Sequence, residues 1–238
     1  SEALAEEKRQ GKKLIVVDAI NDDDLISIGR AAKGLRFITG GSGVAMGLPA
    51  NFLEAGLISC AKRSWHGQAG RCVILSGSCS ETTRQQIMTH GKIGALKEID
   101  VIELMRDGIE VEGLVKWFLE KDGFPLYYSS ASPASVLSVQ KEFGAATVAK
   151  KLDCLFGDLA KALFTEAGVE RLIVAGGETS GAVVEALKLT KLSIGPEIDP
   201  GIPVMRAAPN LTVALKSGNF GADDFFWKAA MYLAGDMA

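Results

Sequence analysis

Proline and histidine are scarce in this chain of 238 residues, at 7 and 2 respectively, and the four cysteines form no CxxC pair. His66 and His90 stand in no ligand spacing with a cysteine pair, so a zinc site is not expected. A chain of this size needs no disulfide staples, and reduced thiols are the expectation for Cys60, Cys72, Cys79 and Cys154. No excess of basic charge exists: the net charge is −3, which gives no footprint for nucleic acid. Apolar runs long enough to cross a bilayer are missing, and the opening "SEALAEEKRQGKK" lacks the apolar block of a signal peptide. A soluble, cytoplasmic protein is expected. The opening also lacks methionine and reads as a short charged helix leading straight into a strand, as though the chain were entered partway through. No internal repeat and no low-complexity segment interrupts it.

What is abundant is glycine, 27 residues, beside 47% apolar residues, a mixture usual in α/β proteins with tight strand-to-helix turns. Apolar segments alternate with helical ones. "KKLIVVDA" (12–19) leads to "NDDDLISIGRAA", and "LRFITGGSG" (35–43) leads to "VAMGLPANFLEAG"; "CVILSGSCS" (72–80) leads to "ETTRQQIMTHG". "PLYYSSASP" reads as a further strand stopped by Ser132-Pro133, followed by "RLIVAGG" (171–177) and "LTVALKSGNFG" (211–221). Val148, Leu152, Leu155, Leu159 and Leu163 recur at helical spacing within 145–167, as do Val111, Leu114, Val115, Phe118 and Leu119 within 110–121. Strand then helix, repeated, predicts an α/β fold with a predominantly parallel sheet flanked by helices. The division expected is a first α/β portion over 1–58, a polar linker over 59–71 and a second α/β domain over 72–238.

Parallel strands point their carboxyl ends to one edge, where ligands bind. Four small-residue turns are expected there: Gly40-Gly41-Ser42-Gly43, Ser76 to Ser80, Gly176 to Gly181 and Ser217 to Gly221. Helix N-termini, close-approaching glycines and Ser or Thr hydroxyls suit each turn to an anion, with phosphate the first choice. The plainer reading is that such turns need glycine anyway, and that Ser80, Thr82 or Thr83 merely caps a helix, with Thr82 and Gln85 spaced as a capping box. No GxxxxGK[ST] is present, so a Walker loop is excluded. "GGSGVAMG" misses the dinucleotide fingerprint by one place, since the glycine after Gly43 falls at Gly47.

Lys216, at a strand end, either neutralises a phosphate or is simply solvated. Glu178 either holds Mg²⁺ through water or favours the positive end of a helix. Asp223 and Asp224 fit that dipole role, and Asp22, Asp23 and Asp24 read as an acidic helix start rather than a metal cluster.

The stretches "VILSGSCSETTRQQI", "VAGGETSGAVVEAL" and "LKSGNFGADDFF", in that order, resemble the C-terminal nucleotide-binding domain of the four-carbon acid sugar kinase family, ATP-dependent enzymes that phosphorylate 3-oxo-tetronate and related sugar acids. "VVDAINDDDL" and "ITGGSGVAMGLP" are similar to the last segments of that family's sugar-acid-binding domain. The resemblance covers nearly all of this chain but about half of a typical member. The family's N-terminal Asp-Asp-x-Thr-Gly motif has no counterpart here.

The resemblance implies an ATP site drawing on Ser78, Ser80, Gly176, Gly177, Glu178, Thr179, Ser180, Gly181, Lys216, Ser217, Gly218, Asn219 and Gly221, with Mg²⁺. Asp18, Gly40, Gly41, Ser42 and Gly43 are candidates for the sugar-acid side, and no catalytic base is assigned. The implied partners are a sugar acid and ATP, with a separate N-terminal domain or a second copy of the chain. Two alternatives stand beside the kinase half: a module that binds nucleotide or sugar acid without turnover, and an oxidoreductase supported by "GGSGVAMG" alone.

Overall fold

The computed structural model describes residues 2–59, 64–129 and 133–237. Residues 60–63, with Cys60 and part of the expected linker, and Ser132, the expected strand stop, lie outside the described residues. The chain falls into two compact units, Ser1–Arg63 and Ser64–Ala238. No helix among the described residues is long and apolar enough to cross a membrane.

The first unit holds α1 (Glu2–Arg9), α2 (Asp22–Ala31), a 3₁₀ segment (Ser42–Gly47) and α3 (Leu48–Glu54). Asn21 caps α2 by accepting the Asp24 N–H at 2.9 Å, and Asp24 returns the favour to the Ile20 N–H at 3.0 Å, which makes the three aspartates a helix start. Here the expected strands within 12–19 and 35–43 do not form: no strand occurs among the described residues of this unit. Leu14 and Val16 are 92% and 91% exposed. Apolar sequence makes a strand only when another strand pairs with it, and these segments have none. "GGSGVAMG" therefore follows no strand and opens a 3₁₀ turn, which removes the context a dinucleotide fingerprint needs.

The second unit runs β1 (Arg71–Ser76), α4 (Glu81–His90), β2 (Leu96–Glu98), α5 (Val101–Arg106), α6 (Val111–Leu119), β3 (Leu126–Tyr128), α7 (Pro133–Phe143), α8 (Ala145–Thr165), β4 (Val169–Ala175), α9 (Gly177–Ala186), β5 (Ser193–Asp199), β6 (Ile202–Ala208), β7 (Leu211–Lys216) and α10 (Phe225–Ala234). They build one seven-stranded sheet of order β2-β3-β1-β4-β7-β6-β5. The strands from β2 to β7 in that order are parallel, as expected, while β6 and β5 extend the edge as an antiparallel hairpin.

β1, β4 and β7 are buried on both faces, and their alternation feeds two cores. Val73, Leu75, Leu172 and Val174 pack with Phe118 of α6 and Phe156 and Leu159 of α8. Ile74, Ile173 and Ala214 pack on the other side with Ile87 of α4 and Phe225 and Phe226 of α10. The helix after β1 thus covers one face and α9, whose Val183 joins the first core, covers the other. Adjacent strands whose helices leave to opposite faces open a crevice at their carboxyl ends.

Residues 64–70, within the expected linker, are fixed on this unit. Trp65 Nε1 donates to Tyr232 O at 2.9 Å, and the Arg206 guanidinium donates to His66 O and to Gln68 Oε1.

Candidate functional site

At the crevice, β1 is followed by Gly77 and Ser78, whose N–H groups both donate to Ala175 O of β4, at 3.1 and 3.2 Å. β4 is followed by Gly176, whose own N–H donates to Lys216 O of β7 at 2.9 Å. Three strand ends are thereby laced together through backbone. Gly176 has φ +126°, a conformation that needs glycine, and a Cβ there would lie 3.3 Å from both Ser78 N and Thr179 Oγ1. α9 begins immediately, and its first bond of helical spacing is Ser180 N–H to Gly176 O. The N–H groups of Gly177, Glu178 and Thr179 precede that bond and have no carbonyl one turn back.

The turn after β7 is held from behind. Gly218 O accepts from Ser80 Oγ at 2.7 Å, Thr83 Oγ1 at 2.8 Å and Lys216 Nζ at 3.0 Å. Gln86, fully buried on α4, donates through Nε2 to the carbonyls of Phe220, Gly221 and Ala222 at 2.9–3.1 Å. Gly218 in turn fits against Ser78 and Ser80, since a Cβ on it would lie 2.3 and 3.1 Å from their Oγ atoms.

A cavity of about 440 Å³ opens over these turns, lined at this end by Gly77, Ser78, Cys79, Gly176, Gly177 and Gly218, with Glu178 and Thr179. Of the residues expected for an ATP site, Ser78, Gly176, Gly177, Glu178, Thr179 and Gly218 line it. Ser80, Ser180, Gly181, Lys216, Ser217, Asn219 and Gly221 are not among the lining residues. Ser80 instead caps α4, accepting the Thr83 N–H at 3.1 Å; of the three caps that the plainer reading offered, Ser80 is the one at the helix start. Asp18 and Gly40 to Ser42 are exposed stretches of the first unit, and Gly41 caps the 3₁₀ segment with Gly43 beside Leu25.

Lys216 is neither solvated nor turned to the cavity. It is 2% exposed, its ammonium donates to Thr83 Oγ1, Ser217 O and Gly218 O, and burial pushes its pKa down to about 8. Its positive charge sits under the β7 turn and shapes it. Asp223 stays near the start of α10, and Asp224 pairs with Lys228 at 3.2 Å.

Several residues of the site escape a reading of the sequence. Thr83 and Gln86, which hold the β7 turn, are buried polar groups on α4, and His90, bonded to Phe124 O away from the cavity, continues their stripe at helical spacing; that stripe is a signal in itself, because a buried face of this kind must have partners. Asp153 of α8 also lines the cavity, its carboxyl held above the usual range by burial and by the charge of Glu178. Nothing local marks Asp153, which rides at the edge of an apolar stripe. Among the described residues no three His, Cys, Asp or Glu gather as a metal site.

Residues 73–226 match the family model described as the nucleotide-binding C-terminal domain. A curated relative from Brucella melitensis biotype 1, a 3-oxo-tetronate kinase, is 38% identical over 96% of this chain and 53% of its own length. Another 3-oxo-tetronate kinase, from Pseudomonas savastanoi pv. phaseolicola, is 41% identical over 98% of this chain and 55% of its own. A crystal structure from Salmonella typhimurium LT2 superposes with a TM-score of 0.79 at 35% identity, covering 96% of this chain and 55% of that one. The chain therefore spans about half the length of the curated relatives it matches. With the laced turns, the crevice and this match in one place, the chain belongs to the four-carbon acid sugar kinase family, through the segment that carries its nucleotide-binding C-terminal domain.

Proposed function

We propose that this chain is the ATP-binding half of a kinase that phosphorylates a four-carbon sugar acid, 3-oxo-tetronate or a related aldonate, and that Mg-ATP lies in the cavity at the ends of β1, β4 and β7. The observation that carries this reading is the backbone lacing of three glycine turns around the N-terminus of α9. Glycines whose Cβ positions are already filled by neighbours keep the cradle open to a large anion, and the N–H groups of Gly177, Glu178 and Thr179 supply donors and the positive end of a helix. Phosphoryl transfer needs mainly positioning and stabilisation of charge, which such a cradle provides.

Glu178 and Asp153 beside a polyphosphate would repel it, unless a cation stands between them. Mg²⁺ on a nucleotide needs only one or two protein carboxylates, so these two fit the role and Mg²⁺ would offset the charge of the phosphates. Ser78 contributes a hydroxyl at the cavity, and Ser80, Lys216 and Gln86 act on the ligand only through the β7 turn they hold. Asp18 and the Gly40–Gly43 turn remain the candidates for the sugar-acid side, which a further domain or a second copy would complete. That the chain spans about half of its relatives favours one other reading, nucleotide binding without turnover by this piece alone.

Calorimetric titration with Mg-ATP, Mg-ADP and NAD tests both, using the chain, Gly177→Val and Gly218→Ala. Nothing lies within 4 Å of a Cβ on Gly177, so the valine enters the cavity without unsettling the fold. Saturable ATP binding, weakened at least about tenfold by each substitution, supports the site. Equal affinity in the variants, or a folded chain that ignores ATP, would sink it.

A further inference from the structure

The cavity extends past the glycine turns because α8 is longer than its neighbour. α8 and α9 lie side by side and advance together. A Cβ on Gly157 would lie 3.3 Å from Ala182 O and 3.2 Å from Ala186 Cβ, and one turn earlier Asp153 feels the charge of Glu178. α9 begins at Gly177, level with Leu152, so the stretch of α8 from Ala145 to Lys151 overhangs it by roughly two turns, about 10 Å. Val148 and Ala149 of that overhang line the cavity. α7 meets α8 at a corner, Gly144, with φ +85°. The Gly144 N–H donates to Gln140 O at 2.9 Å, and the Val148 N–H donates to Gly144 O at 3.1 Å. Gln140 and Val148 therefore lie one turn from the corner on its two arms, which sets Gln140 beside the overhang and away from the strand ends. At the overhang the described lining is Val139, Val148 and Ala149, with Gln140 as its one polar side chain. Gln140 is half-buried, its amide is not among the sealed polar atoms of the fold, and its side chain makes no hydrogen bond to the described residues.

We propose that Gln140 selects the base of the bound nucleotide: the base rests on the apolar Val139, Val148 and Ala149 surface of the overhang, and the Gln140 amide pairs with the edge of an adenine. This rests on the nucleotide reading above, which places the phosphates at the N-terminus of α9, and it names the group that chooses among nucleotides. A glutamine amide carries an acceptor and a donor side by side. Adenine matches that pair with its N6 amino group and N7, so the amide oxygen accepts from N6 and the amide nitrogen donates to N7. Guanine offers two acceptors on the same edge, O6 and N7, and the amide oxygen then faces an oxygen. The apolar surface holds any base; the amide makes adenine the preferred one.

The test separates base selection from phosphate binding. The whole chain, Gln140→Leu and Gly177→Val are titrated with Mg-ATP, Mg-GTP and Mg-tripolyphosphate, which carries phosphates and no base. The parent chain is expected to bind Mg-ATP about tenfold more tightly than Mg-GTP. Gln140→Leu keeps the size and helix preference of the residue, so the ligand-free unfolding temperature stays the same. It is expected to weaken Mg-ATP about tenfold, to leave Mg-GTP and tripolyphosphate unchanged, and so to bring the two nucleotides to equal affinity. Gly177→Val is expected to weaken all three ligands. Unchanged Mg-ATP affinity in Gln140→Leu overturns the assignment, and so does an equal loss for all three ligands, which would make Gln140 a structural residue. A parent chain that binds Mg-GTP as tightly as Mg-ATP also overturns it, while leaving the nucleotide reading in place. If the folded parent ignores Mg-ATP, the nucleotide reading itself falls, and this one with it.

Discussion

Lys216 ends β7 with its ammonium enclosed by Thr83 Oγ1 and two carbonyls, while its ring-facing side lies 5.7 Å from the centroid of Phe225. Burial lowers its pKa from the usual 10.5 to about 8, so the native chain gives up this proton before the unfolded chain does. Stability then rises with pH between about 8 and 10.5, and the cost of enclosing the charge is fully present below 8. Unfolding by urea at pH 7 and pH 10 should show the parent gaining on Lys216→Met by up to about 3 kcal/mol. A constant difference would mean that the three hydrogen bonds fully offset the burial. The sequence marks Lys216 as a charge beside a turn but leaves its direction open, because a strand-end lysine points inward only if the neighbouring helix carries acceptors. That condition lies in Thr83, some 130 residues away in the chain.

His90 sits at the end of α4 with Nε2 2.7 Å from Phe124 O, so this nitrogen carries the proton and donates. Burial holds its pKa below the usual 6.5, and the neutral form is the native one. Falling pH therefore destabilises the fold once the unfolded chain begins to take up a proton near 6.5. The helix itself is an element that the sequence announces well, by Ser80 and the following polar run. Less legible are β2, with three residues, and the β5–β6 hairpin, whose Gly195, Pro196 and Pro203 argue against strand; the hairpin forms because β7 offers β6 a free edge. α8 and α9 meet where Gly157 faces Ala186 and Ala182, a Cβ there lying 3.2 Å from Ala186 Cβ. Gly157→Val should push α9 from its seat, lowering stability by about 1–3 kcal/mol and weakening Mg-ATP binding together. Thermal unfolding and titration of the same sample check it; lost stability with intact binding would uncouple α9 packing from the cradle.

At the scale of the molecule, the alternation of apolar runs with helices makes the parallel sheet legible, since strands buried on both faces must be continuously apolar. The same signal misleads in the first unit, where "KKLIVVDA" and "LRFITG" carry the pattern of strands without the partners. Residues 64–238 form a compact unit with both cores, and expressed alone they should fold cooperatively and keep the Mg-ATP affinity of the whole chain within about threefold. A large loss of affinity in that shorter piece would assign part of the nucleotide site to the first 63 residues.

The lacing of Gly176 to Lys216 also imposes an order of events during synthesis. A nascent chain that has emerged through α9 owns two of its three turns, yet the backbone acceptor that seats Gly176 is still inside the ribosome. On the function proposed above, nucleotide would not be gripped until β7 and its turn emerge and slot beside β4. From then on each captured ligand would act as a clasp on the strand that arrived last, so a nucleotide pool would stabilise newly made copies of this domain once β7 is in place.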